Sequence, residues 1–212
     1  MMRLKASMRA ALGVLLCVGV ASCSQDPGSS RPPGSLGAPA ELRFIGAGGG
    51  VSVLVPERFA PTWIASYGLL LMCSDVPAEI VEVRPTWTVR PVGFRAWVRT
   101  ETADRDRLET MPFISALGSA PDFDEEYGDL GKITGTLAPA EGSVISTPCS
   151  DPGDAYQDLI LELEVDDRGA DLGSVAVRFR AASSDDANVA SVTLRSYQMT
   201  ACGTRAPAQL CR

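Results

Sequence analysis

The chain has 212 residues, 19 Lys+Arg against 26 Asp+Glu, a formal net charge of -7, and no histidine. With 45% hydrophobic and 21% charged residues, it holds apolar material for one domain with an appendage. It is too polar for a multi-span membrane protein and too apolar for wholesale disorder. The missing imidazole excludes Ser-His and Cys-His catalysis, histidine metal ligation and a histidine pH switch.

Residues 1–22 read as an export signal. Arg3, Lys5 and Arg9 form a basic n-region without an acid, and Ala10 to Val20 form an apolar h-region too short to span a bilayer. The run Val20-Ala21-Ser22-Cys23 follows directly. Apolar-small-small-Cys in this place resembles the lipobox of bacterial lipoproteins. The resemblance implies diacylglycerol on the thiol of Cys23 and cleavage before it, with palmitate-type chains holding the protein on a membrane. Two or three acyl chains anchor stably where one is marginal. Cys17 is the competing position, but Leu16 stands where the motif takes a small residue. The plain alternative is an ordinary signal peptide cleaved after Ser22, which leaves Cys23 a free thiol.

Residues 23–40 are rich in Ser, Gly, Pro and Ala and read as a flexible tether, followed by one domain over 41–212. Removing 1–22 takes away three basic residues and no acid, leaving 16 basic and 26 acidic residues, a net charge of -10. Such a domain is repelled by nucleic acid and by anionic head groups, so no nucleic-acid partner is expected.

Along the domain the apolar period is two. Val51–Val55, Leu69–Cys73, Glu79–Arg84, Thr86–Arg90, Phe94–Arg99, Lys132–Leu137, Ser143–Ser146, Asp158–Val165, Val175–Arg180 and Val192–Arg195 read as strands, each with one face wet. In the last part, Leu159, Leu161, Leu163 and Val165 share one face, and so do Val175, Val177 and Phe179. Turn chemistry separates the runs at Asp166–Asp171, Ser183–Asn188 and Pro152-Gly153. Residues 41–67, broken by Gly46 and Gly48–Gly50, read as an edge hairpin or an ordered arm. Met111 to Leu130 reads as a long connection, and Thr102 to Leu108 is the one candidate for a short helix. The pattern predicts an all-β, antiparallel β-sandwich of immunoglobulin-like kind, with a small closed β-barrel as the alternative.

Beyond Cys17 and Cys23, four cysteines remain: Cys73, Cys149, Cys202 and Cys211. An even number in an exported domain without CxxC spacing predicts two disulfides rather than redox chemistry or zinc. Loop statistics favour Cys202–Cys211 with Cys73–Cys149; the rival pairing is Cys73–Cys202 with Cys149–Cys211. A strand ending in Cys73, then Ala78-Glu-Ile-Val-Glu-Val-Arg-Pro85, a pre-strand Cys149 and a last strand ending at Cys202 are similar to small exported lipoproteins of high-GC Gram-positive bacteria. The likeness covers about residues 68–203, implies a β-sandwich outside the cytoplasm, and brings no activity with it.

Candidate chemistry is sparse. Asp122, Asp124 and Glu126 alternate as the ligands of a calcium loop do, but the glycine comes one place late and Ile133 stands where a bidentate Glu belongs. A solvated acidic loop is therefore the expectation, with no metal and no cofactor. Lys132 is the sole lysine beyond the signal; no S-x-x-K, G-x-S-x-G or phosphate-binding motif occurs, and Gly46–Gly50 lacks a strand–loop–helix context. Trp97 shares a strand face with Arg95 and Arg99, either as a wet binding face or as a second buried face with arginine stems over the ring. No catalytic residue is expected. These features point to a membrane-tethered, non-catalytic binding or interaction module of the cell envelope, with an envelope protein or ligand as partner. A carboxylate-dependent, calcium-assisted hydrolase is the alternative.

Overall fold

The computed structural model describes residues 40–45, 49–54, 61–102, 115–124, 135–150, 155–183, 188–205 and 211. Their regular structure is entirely β-strand. The first sheet holds β1 (Leu42–Ile45), β3 (Trp63–Ser74), β5 (Gly93–Thr102), β6 (Ser115–Gly118), β7 (Phe123–Asp124), β8 (Thr136–Pro139) and β10 (Ala155–Val165). The second holds β2 (Gly49–Leu54), β4 (Ala78–Val89), β9 (Val144–Ile145), β11 (Ala170–Ala181), β12 (Ala190–Leu194) and β13 (Tyr197–Cys202).

The period-two pattern builds the core. Leu159, Leu161, Leu163 and Val165 of β10 are fully buried and meet Val175, Val177 and Phe179 of β11 in one cluster fed by both sheets. Each such side chain contributes about 1.5–3 kcal/mol on leaving water. Among the described strands none is shared between the sheets, so the fold is the expected sandwich and not the alternative barrel.

Four expectations need correction. First, the outer face of β10 and the neighbouring part of β5 are largely covered, with only Arg95 and Glu164 left exposed on it. Asp158, Ile160 and Glu162 on the side of β10 away from the core are at most 3% exposed, and Arg99 and Glu101 of β5 are buried beside them. Second, the described residues of 41–67 form no hairpin with one another. β1 pairs antiparallel with β3 in one sheet, while β2 pairs parallel with β13 in the other, so the sandwich is not wholly antiparallel. Third, Glu79–Arg84 and Thr86–Arg90 are one strand. Pro85 sits opposite Val175, and β9 pairs only with Ala78 and Glu79 on the other edge, which leaves room there for a residue without an N–H. Fourth, the connection from Met111 to Leu130 contains the small β6–β7 hairpin. Thr102 ends β5, and the rest of the helix candidate, 103–108, lies outside the described residues, as do 132–134 of the strand that is observed as β8.

The β10–β11 turn crosses between the sheets. Gly169 adopts φ 80° there, a conformation that side-chain-bearing residues rarely hold, which explains the Asp-Asp-Arg-Gly sequence. A bulge on β3 sets Gly68 and Leu69 against the single residue Ile160 of β10. At this break the Gly68 carbonyl accepts a hydrogen bond from Tyr197 Oη at 2.8 Å, and Tyr67 Oη donates back to Thr200 O at 3.1 Å. Two buried phenols thus clasp the sheets to each other. Burial pushes both phenol pKa values up, so neither ionises in the accessible range.

One side of the sandwich is sealed. β8 ends the first sheet, β9 ends the second, and the turn Ala140–Ser143 joins them. The following strap is held from two directions. Cys149 is bonded to Cys73 at the end of β3, and Gln157 of β10 bonds Val144, Ser146 and Thr147. The second disulfide is Cys202–Cys211, so the pairing is the one that loop statistics favour.

Candidate functional site

Two places bring polar chemistry together. The first is the outer face of the first sheet. Antiparallel register sets Arg99 against Asp158 and Arg95 against Glu162. Arg99 donates to Asp158 from Nε at 3.0 Å and Nη2 at 2.9 Å, with both side chains at most 3% exposed. Its guanidinium carbon lies 5.4 Å from the centre of the Tyr156 ring. Burial pushes the Asp158 carboxyl up, and the guanidinium, bonded to it at two points, opposes that shift. Glu162 accepts hydrogen bonds from Arg95 Nη1, Trp97 Nε1, Ser119 Oγ and Ala120 N, all within 3.2 Å. These contacts fix the β6–β7 hairpin on the sheet. Trp97 joins Ile160, Ala116, Phe123 and Leu137 in a small apolar cluster. The Trp97 face is therefore a second buried face. Arg99 lies over Tyr156 rather than over the indole, and Arg95 reaches out with its side chain 67% exposed. Every charge in this row except the Glu101 Oε2 atom has a partner in the fold, which makes the row a structural element.

The second place is the side of the sandwich opposite the β8–β9 seal. There β1 and β12 are the outermost strands of their sheets at that level, each paired on one side only among the described residues. Between them runs a groove of about 620 Å³ lined by half-buried Phe44 and Val192 over buried Leu42, Phe179 and Leu194, at the margin of the main core. Glu41 and Arg43 on its rim bond each other, and the guanidinium holds the Glu41 carboxyl below its ordinary range. The groove thus offers apolar floor, backbone edges and a neutral ion pair. It presents no protonated acid and no nucleophile with a base.

The other candidate residues are spread apart. Asp122 is exposed; the Asp124 side chain and Glu126 lie outside the described residues, and among those described no group of His, Cys, Asp or Glu could hold a metal ion. Cys23, Lys132 and Gly46–Gly48 also lie outside them. Trp63 is buried in the core, and Trp87 meets Phe94 edge to face at 5.7 Å. Sequence reasoning missed the groove, because β1 is short and its partner strand is about 30 residues away. It read a second buried face around Trp97 but missed the ion pairs across it, although a four-residue spacing in both Arg95/Arg99 and Asp158/Glu162 is a readable sign of opposed charges on antiparallel strands. No protein-family model, no curated protein and no solved structure matches the chain. Two disulfides are the mark of an oxidising compartment outside the cytoplasm, and among the described residues no helix is long and apolar enough to cross a membrane.

Proposed function

We propose that this protein is a lipid-anchored extracytoplasmic β-sandwich that binds a partner of the cell envelope and catalyses no reaction. The observation that carries the reading is the groove between β1 and β12, where half-buried Phe44 and Val192 and two strand edges line the side of the sandwich opposite the β8–β9 seal. Apolar floor with free strand edges suits contact with a protein or an apolar ligand. The hydrolase alternative needs a carboxyl held protonated in a cleft. Asp158, whose pKa is raised by burial, is fully buried under Arg99, and Glu41 in the groove is shifted the opposite way. The lipobox supplies the anchor, and 23–40 supplies the reach from it.

The test has two arms. Cys23→Ser should move the protein out of the membrane fraction or stop its processing, and unchanged membrane partition would remove the anchor from the account. A photo-cross-linker at Thr193, in the groove, should give a discrete adduct in intact cells, while one at Thr86, exposed on β4 two strands away in the same sheet, should not. Equal labelling from both positions would remove the groove.

A further inference from the structure

The strap beside Cys149 contains a second possible covalent closure. Gln157 and Thr147 are each 6% exposed. The Gln157 carbonyl oxygen, Oε1, accepts the backbone N–H of Ser146 at 2.8 Å and that of Thr147 at 3.2 Å. Two convergent amide donors on one carbonyl oxygen are what stabilises negative charge there when a nucleophile attacks the carbon. The Thr147 hydroxyl lies 3.3 Å from that same oxygen, held against the amide by the fold. The Gln157 amide nitrogen donates to Val144 O at 2.9 Å and to Thr100 Oγ1 at 3.3 Å. Thr100 is exposed, so the nitrogen side of the amide faces the way out.

We propose that Thr147 and Gln157 become joined by an ester bond formed within the folded domain. Thr147 Oγ1 bonds to Gln157 Cδ, and the tetrahedral oxygen rests on the Ser146 and Thr147 amides. The Cδ–Nε2 bond then breaks. The hydroxyl proton passes from Oγ1 to Nε2 across the tetrahedral centre, and the nitrogen leaves as ammonia. No oxidant, metal or second substrate takes part. Burial slows the competing attack by water, and the fixed geometry supplies the proximity that a weak nucleophile requires. The product ties the strap to β10, the strand next to the one that carries Cys73, so the segment that follows β9, which pairs with only two residues of β4, is held covalently at both Thr147 and Cys149.

The readout is peptide mass from the exported protein after reduction and alkylation. Cleavage after Lys132 and Arg168 gives one peptide containing both residues. The proposal expects that peptide to be lighter than its sequence by one ammonia. It also expects cleavage before Asp151 and Asp154 to leave its two ends joined, and mild alkali or hydroxylamine to open it. Thr147→Ala and Gln157→Glu should both show full-length peptides with no ammonia lost to a cross-link, and Thr147→Ser should keep the cross-link if Thr147→Ala fails to fold. A wild-type peptide of full mass overturns the proposal. So does an ammonia loss that persists in Thr147→Ala.

Discussion

Replacing Arg99 by Ala is the sharpest perturbation of the buried row. Wild type holds a two-point bond between a guanidinium and a carboxylate that are 3% and 0% exposed. The substitution leaves Asp158 buried without its counter-ion. Stranding one member of a buried pair costs about 3–5 kcal/mol, a large part of the roughly 5–15 kcal/mol that holds a domain together. For a domain of this size, about 2–4 °C of melting temperature per kcal/mol gives a fall on the order of 10 °C. The loss has a pH sign. Burial already pushes the Asp158 carboxyl up, and removing Arg99 takes away the group that opposes the shift. A carboxyl whose folded pKa is raised costs stability above that pKa and recovers it as pH falls and the proton binds. The gap between Arg99→Ala and wild type should therefore narrow from neutral toward acid pH. Arg99→Met with Asp158→Leu removes both charges and should lie within about 1 kcal/mol of wild type. Denaturant titration of the three proteins at two pH values reads all of this. A single variant within about 1 kcal/mol of wild type, or a double variant as damaged as the single, would refute a structural ion pair.

Three further outcomes follow from the same framework. Cys73–Cys149 closes a loop with a sequence separation of 76 and Cys202–Cys211 one of 9; chain entropy assigns them about 4.5 and 2.7 kcal/mol, so Cys73→Ala should lower the melting temperature more than Cys211→Ala. Tyr197→Phe leaves the Gly68 carbonyl without the phenol at the bulge and should cost about 1 kcal/mol by chemical denaturation, with the far-ultraviolet spectrum unchanged. Millimolar calcium should leave the melting temperature where it is; a marked rise that chelator reverses would show ligand linkage at the acidic loop.

The sandwich was legible because alternation in β10 and β11 is strict: one slip in register would turn Leu159, Leu161 and Leu163 away from the core. The disulfide pairing was legible from loop length alone. A second buried face was legible at Trp97 as one of two readings, but its β10 half was not, since Asp158 and Glu162 read as water-facing residues until Arg99, Arg95 and Trp97 are brought opposite them from about 60 residues earlier in the chain. Pairing of Gly49–Leu54 with the last strand was equally hidden, because parallel contacts between distant segments leave no local pattern. The groove follows from that same non-local arrangement: it lies where β1 on β3 and β12 on β11, remote in sequence, come side by side.

Hydrogen exchange tests binding at the open side most directly. The purified protein is compared alone and after mixing with detergent-solubilised envelope of the producing cell. Slowed exchange confined to Leu42–Ile45 and Ala190–Leu194, with Arg84–Thr88 of β4, two strands from β12, unchanged, is the predicted result. Unchanged exchange at both edge strands, or protection that appears on β4 instead, would contradict it.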